Sequence, residues 1–236
     1  SENPSIDYLC IGEGESMVID FLKNFGKPSL RDIENLVYKH NGKITPNPLR
    51  PAEDLSKMSR FHWKLFRKKA ITGNGSALQV SASRGCPFSC TYCCNGIYLK
   101  HYGKQYLRFR PVDQVLKELH HLHKKYKPKY FYFGDEMIFF NKNYAIELFR
   151  RIKTELNVYY GCMARVEYID GEIVSALKET NCKYIAMGIE CGDFQFRKQY
   201  LNRHMTNHQI ESAFDLVKTA EIQTTSFNMI GYPFDN

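Results

Sequence analysis

The sequence predicts an α/β protein built on parallel strands, and three observations carry that prediction. Five short runs rich in β-branched and aromatic residues recur between Leu78 and Met229. Stretches with helical spacing of apolar residues separate them. The chain, 236 residues with 43% hydrophobic and 25% charged residues, is long enough for one sizeable core and has the composition of a globular protein.

Taken in order, Ile6 to Ile11 is an apolar run that predicts a buried strand. Gly12 and Gly14 predict a tight turn, and Met17, Phe21, Leu22 and Phe25 give Ser16 to Phe25 a helical period. Residues 28–75 show no long period. They predict a linker with one small hairpin at Asn41-Gly42, and a connector (FHWKLFRKKAITGNG) that ends in a flexible turn. From residue 76 the pattern is regular. Leu78 to Ser83 predicts a strand. Val112 to Tyr126 predicts a helix that starts at Pro111 and buries Val115, Leu119 and Leu122. Tyr130 to Phe133 predicts a strand, Tyr144 to Leu156 a helix, Val158 to Cys162 a strand, Glu172 to Glu179 a helix and Tyr184 to Ile189 a strand. Thr206 and Gln209 form a capping-box pattern that opens a helix to Ala220, with Ile210, Phe214 and Val217 inward. Gln223 to Met229 predicts the last strand. Strands and helices that alternate in this way make a parallel sheet covered by helices, either doubly wound or closed toward a (β/α) barrel. Both gather chemistry at the C-terminal ends of the strands. The segments there are SRGC, GDE, MAR, GIECGD and IGYP.

No run of 18 apolar residues predicts a membrane span, and SENPSIDYLC lacks the pattern of a signal peptide. Eight cysteines without a secretory signal predict reduced thiols in a cytoplasmic protein, some of them metal ligands. The net charge of +8 favours anionic partners. His120, His121 and His123 do not converge on a helix and predict a solvated face. Cys10, Cys162, Cys182 and Cys191 predict small buried residues, and the YFYF at 130–133 predicts core.

Four of the eight cysteines fall in SRGCPFSCTYCCNG: Cys86, Cys90, Cys93 and Cys94. A structural zinc site takes four ligands, usually as two separated pairs, and no second pair matches here. Thiolates also hold iron–sulfur clusters, and three of them leave one iron of four open.

In this setting the segment resembles the hallmark of radical S-adenosylmethionine (SAM) enzymes, C-x3-C-x-aromatic-C on the loop after the first barrel strand. It stands here as Cys86-Pro-Phe-Ser-Cys90-Thr-Tyr92-Cys93, with Tyr92 as the aromatic. The resemblance implies a partial (β/α)6 barrel over residues 76–236 and a 4Fe-4S cluster on Cys86, Cys90 and Cys93. SAM would chelate the open iron and be cleaved reductively to a 5′-deoxyadenosyl radical. It further implies that Gly134, Asp135 and Glu136 meet the SAM amino group, and that Glu190 meets the ribose hydroxyls. Arg165 and Arg203 become candidates for the SAM carboxylate, with structural ion pairs as the other reading, and Ile230 and Gly231 approach the adenine. Cys94 is a bystander.

The opening IDYLCIGEGE is similar to the last strand and turn of a Rossmann-like cobalamin-binding domain. Residues 1–27 are thus expected to form the edge of that domain, residues 28–75 a linker, and Gly12, Glu13 and Gly14 to lie near cobalamin. The remaining part of such a domain and a sixth barrel strand are not in this sequence, so the chain is expected to be part of a longer enzyme. The implied reaction is methyl transfer to an unactivated carbon, or a related radical reaction, on a small-molecule or peptide substrate. A flavodoxin or ferredoxin would supply the electron. Two other readings stand beside this one. One is an RNA-modifying, methylthiotransferase-like radical SAM enzyme, supported by the positive charge. The other is a zinc-stapled nucleic-acid-binding module.

Overall fold

Strand order decides between the two sheet architectures. The computed structural model describes residues 3, 5–59, 61–66 and 77–233. Its main sheet contains β4 (Ala77–Val80), β7 (Tyr130–Phe133), β8 (Tyr159–Ala164), β9 (Cys182–Glu190) and β10 (Gln223–Asn228). All neighbours are parallel, and the spatial order is the chain order, β10-β9-β8-β7-β4. A doubly wound sheet needs a reversal of order. Without one, right-handed crossovers place every helix on the same face, and the sheet curls around the other face as a partial barrel.

The covering helices are α3 (Val112–Tyr126), α4 (Lys142–Glu155), α5 (Gly171–Glu179) and α7 (Asn207–Thr219). Their apolar stripes meet Leu78, Val80, Phe131, Phe133, Tyr160, Cys162, Ile185 and Met187 in one core. The capping box at Thr206 and Gln209 is formed. Each of these helices returns to the sheet through a left-handed residue: Lys127, Asn157, Asn181 and Glu221, at φ of 48, 50, 68 and 61°.

Several expectations are corrected. The strand expected over Leu78–Ser83 stops at Val80. Ser83–Arg84 instead forms β5, paired antiparallel with β6 (Arg108–Phe109). Two short helices, α2 (Asn95–Tyr102) and α6 (Phe194–Tyr200), follow the strand-end loops SRGC and GIECGD. The first strand, β1 (Tyr8–Cys10), is half exposed rather than buried. It pairs antiparallel with β2 (Leu36–His40), which pairs with β3 (Lys43–Pro46) through the expected Asn41-Gly42 turn. The hairpin assigned to the linker therefore belongs to one small sheet with β1. That sheet packs under α1 (Glu15–Asn24) around Met17, Leu30, Ile33 and Leu36. Residues 67–76, with the turn that ends the connector, lie outside the described residues.

Candidate active site

The cysteine loop starts from a buried carboxylate. Asp135, fully buried past the end of β7, accepts hydrogen bonds at Oδ1 from the amides of Ala82 (2.8 Å) and Ser83, and from the Ser83 hydroxyl (2.5 Å). These bonds turn the chain out of β4 and aim it at Cys86. Burial lifts the Asp135 carboxyl to about 6. Glu136, beside it, is exposed. Of this expected pair only Glu136 has an exposed side chain; Asp135 holds the loop. Gly134 packs over Gln79, whose Nε2 lies 2.5 Å from where a Cβ would stand.

Beyond Cys86 the loop lies along residues 200–203. The Thr91 hydroxyl donates to the Tyr200 carbonyl (2.5 Å), and Asn202 Nδ2 donates to the Ser89 carbonyl (3.1 Å). Cys86 and Cys90 are buried, Cys93 is half-buried, and Cys94 is exposed at the start of α2. Burial pushes the Cys86 thiol up to about 11; Cys90 and Cys93 add to the rise and Arg165 opposes it. Burial also raises Cys93. Among the described residues no three His, Cys, Asp or Glu side chains converge to hold a single metal ion. One zinc ion needs its donors about 2.0–2.3 Å from a common centre. A cluster takes each thiolate on a different iron. Three thiols on one loop, beside a buried cation, are a donor set that fits the cluster.

The two expected arginines take different places. Arg203, side chain 5% exposed, donates to the Tyr92 hydroxyl (3.0 Å), to Glu190 Oε1 (3.2 Å) and to the Gly188 carbonyl (2.7 Å). It thereby ties the motif's aromatic residue to the end of β9. Glu190 sits at φ 70° beside a register shift between β9 and β10, and its carboxylate turns back over Gly188. A Cβ on Gly188 would stand 2.5 Å from Glu190 Oε1 and 3.3 Å from Arg203 Nη1. Sequence reasoning passed over this residue, although a glycine two positions before a strand-end glutamate signals a close approach. Arg165 meets the loop at other residues. Its Nη1 donates to Cys90 Sγ (3.4 Å), its Nη2 pairs with Glu167, and its guanidinium stacks 3.8 Å over Phe88. Burial pushes the Tyr92 phenol upward, with Arg203 pulling against it.

Ile230 is 94% exposed and Gly231 follows at φ 80°. They leave β10 beside Glu190, whose carbonyl accepts from the Met229 amide (2.8 Å). Gly12, Glu13 and Gly14 stand apart from the sheet. With Glu15, Arg84, Tyr98 and Tyr106 they line a cavity of about 280 Å³. The Glu13 carboxylate is held by Arg108, by Arg84 (3.2 Å) and by the Glu53 amide (2.6 Å), and its own amide donates to the Tyr102 hydroxyl (2.9 Å). Burial pushes its carboxyl up, but the bonds and charges of Arg108, Glu53 and Arg84 outweigh this and hold it below the usual range. Glu13 thus anchors the small sheet to the β5–β6 ribbon that carries the cysteine loop. His120 and His121 are exposed and His123 half-buried. Cys162 and Cys182 are buried, whereas Cys10 and Cys191 are only half-buried.

Comparisons agree with this geometry. Residues 80–236 match the model of the Radical SAM superfamily. An uncharacterized methyltransferase of Pyrococcus horikoshii is 30% identical over 98% of this chain and 50% of its own length. An anaerobic magnesium-protoporphyrin IX monomethyl ester cyclase of Rubrivivax gelatinosus is 25% identical over 98% of the chain and 42% of its own. The chain therefore spans half or less of these relatives. The solved structure of the radical S-adenosylmethionine methyltransferase TsrM from Kitasatospora setae, with cobalamin and a 4Fe-4S cluster bound, shares the fold. Its TM-score is 0.76 at 15% identity, over 97% of this chain and 48% of that one. On the cysteine motif, the sheet order and the family match together, the chain belongs to the radical SAM superfamily.

Proposed function

We propose that this chain is the SAM-cleaving core of a cobalamin-associated radical SAM methyltransferase. The observation that carries the reading is the placement of Cys86, Cys90 and Cys93 on one loop at the C-terminal rim, with Tyr92, Arg203 and Glu190 linked beside it. When bound, the cluster supplies the one electron that splits SAM into methionine and a 5′-deoxyadenosyl radical. The protein's own part is positional. Asp135 aims the loop. The three thiols would hold the cluster and leave one iron free for SAM. Glu190 accepts from the ribose hydroxyls, since a carboxylate can take two vicinal donors, and Arg203 fixes its rotamer. Glu136 faces the amino group, and Ile230 and Gly231 flank the adenine. Residues 1–27 form the edge of the cobalamin-binding part, with the Gly12–Gly14 turn toward that cofactor. The substrate is a small molecule or peptide with an unactivated carbon, and the electron comes from a flavodoxin or ferredoxin in a reducing cytoplasm. Among the described residues no helix is long and apolar enough to cross a membrane.

The test is anaerobic reconstitution with iron and sulfide, reduction, and electron paramagnetic resonance with and without SAM. A four-iron signal that shifts on adding SAM, with release of 5′-deoxyadenosine, is expected. A zinc-loaded protein with no iron signal would sink the reading.

A further inference from the structure

We infer that Arg165 raises the reduction potential of the cluster by donating a charged N–H to Cys90, and does not clasp the SAM carboxylate. The inference rests on the cluster reading above and assigns one of its residues a different task.

Four observations place Arg165 on the cysteine loop. Its Nη1 lies 3.4 Å from Cys90 Sγ. Its guanidinium covers the ring of Phe88, midway between Cys86 and Cys90, at 3.8 Å. Phe88 in turn packs edge-to-face with Tyr168, their ring centroids 6.2 Å apart. Glu167 holds Nη2, and Nε is buried with no hydrogen-bond partner. A guanidinium covered on one face, paired at one amino group and bonded to a thiol at the other is not placed to swing toward a ligand. Arg203 is the contrast, because its bonds run to Tyr92, Glu190, Gly188 and Met205 Sδ, and among the described residues none runs to a cysteine.

The electronic consequence follows from charge. One-electron reduction takes the cluster from the 2+ to the 1+ level, so the unit of irons, sulfides and thiolates gains one negative charge. Hydrogen bonds to the ligand sulfurs and the nearby net charge set the potential of such a centre. A buried cation that donates to one of those sulfurs stabilises the more negative state, and poor solvent screening strengthens the effect. Arg165 thus makes the reduced form easier to fill from a one-electron donor. Glu167 partly neutralises that cation and limits the effect.

The experiment is a dithionite titration of the reconstituted protein without SAM, with redox mediators, followed by the reduced-cluster signal. Arg165→Gln should lower the ratio of reduced to oxidised cluster at a fixed potential on the order of tenfold, about 59 mV for one electron. Arg165→Lys should fall between, because a lysine keeps the charge and loses the planar fork. Arg203→Gln should leave the SAM-free potential in place. If Arg165→Gln fails to load, the lysine variant decides, and a wild-type potential there overturns the inference. An unchanged potential in Arg165→Gln with weaker SAM binding also overturns it and returns Arg165 to the carboxylate. Absence of any four-iron signal in the wild type would instead remove the cluster reading itself.

Discussion

Asp135 should make the fold more stable in mild acid than at neutral pH. Its side chain has no exposed surface, and burial lifts its carboxyl to about 6 despite hydrogen bonds from Ser83 and Ala82. The unfolded chain returns it to about 3.9. Between those values the folded protein keeps a proton that the unfolded chain has released, so unfolding free energy falls as pH rises through the window and levels off above it. A shift of about two units, at ~1.4 kcal/mol each, gives ~3 kcal/mol in full and about 2 kcal/mol between pH 4.5 and 7.5. Asp135→Asn keeps an acceptor for the Ala82 and Ser83 amides and cannot ionise. Urea unfolding of the cluster-free wild type and variant, followed by circular dichroism across that range, isolates the difference because all other groups cancel. The wild type should lose about 2 kcal/mol relative to the variant on going from pH 4.5 to pH 7.5. Parallel curves would refute the reasoning, and so would a wild type that weakens in acid relative to the variant, since either means that hydrogen bonds offset the burial.

Other outcomes follow from the same geometry. Cys90→Ala should lose iron and sulfide after reconstitution and release no 5′-deoxyadenosine, whereas Cys94→Ala, altered at an exposed thiol, should keep both. Gly188→Ala should push the Glu190 carboxylate off its seat and weaken SAM binding on the order of tenfold (~1.4 kcal/mol), with the SAM-free cluster signal unchanged; equal affinity in a titration would count against the Glu190 role. Glu13→Gln should destabilise the fold by about 2 kcal/mol at pH 7, because it leaves Arg108 without its carboxylate and takes from Arg84 one of its two, Glu15 remaining. The Glu13 carboxyl is held low, so its contribution is present above the ordinary carboxylate pKa and fades as pH falls through the lowered value. Denaturant midpoints for this pair should therefore converge in acid.

Local pattern made much of this legible. Val112–Tyr126 and Tyr130–Phe133 match their expected ends, since one has a strong apolar stripe and the other a compact aromatic run. The thiol motif was legible because its chemistry is written in consecutive residues. What escaped depends on polar anchors or on distant partners. In α2 the buried residue is Asn95, bonded to Tyr106, so no apolar period marks the helix. In α6 the buried residue is Arg197, which donates to the carbonyls of Cys191 and Met205. β1 reads as a buried strand by composition, yet Tyr8 and Leu9 are about two-fifths exposed, and what covers a strand is not encoded within it. The separate tasks of Asp135 and Glu136 turn on burial. Those of Arg165 and Arg203 turn on contacts with Cys90 and Tyr92, 75 and 111 positions away.

The left-handed residues that end the four covering helices have a practical consequence. Lys127, Asn157, Asn181 and Glu221 all lie where helices return to the starts of strands, on the rim opposite the cysteine loop. A tether attached to that rim would hold every molecule in one orientation, with the thiols facing away from the support. On an electrode this would give a film in which a soluble redox partner meets each centre from the same side.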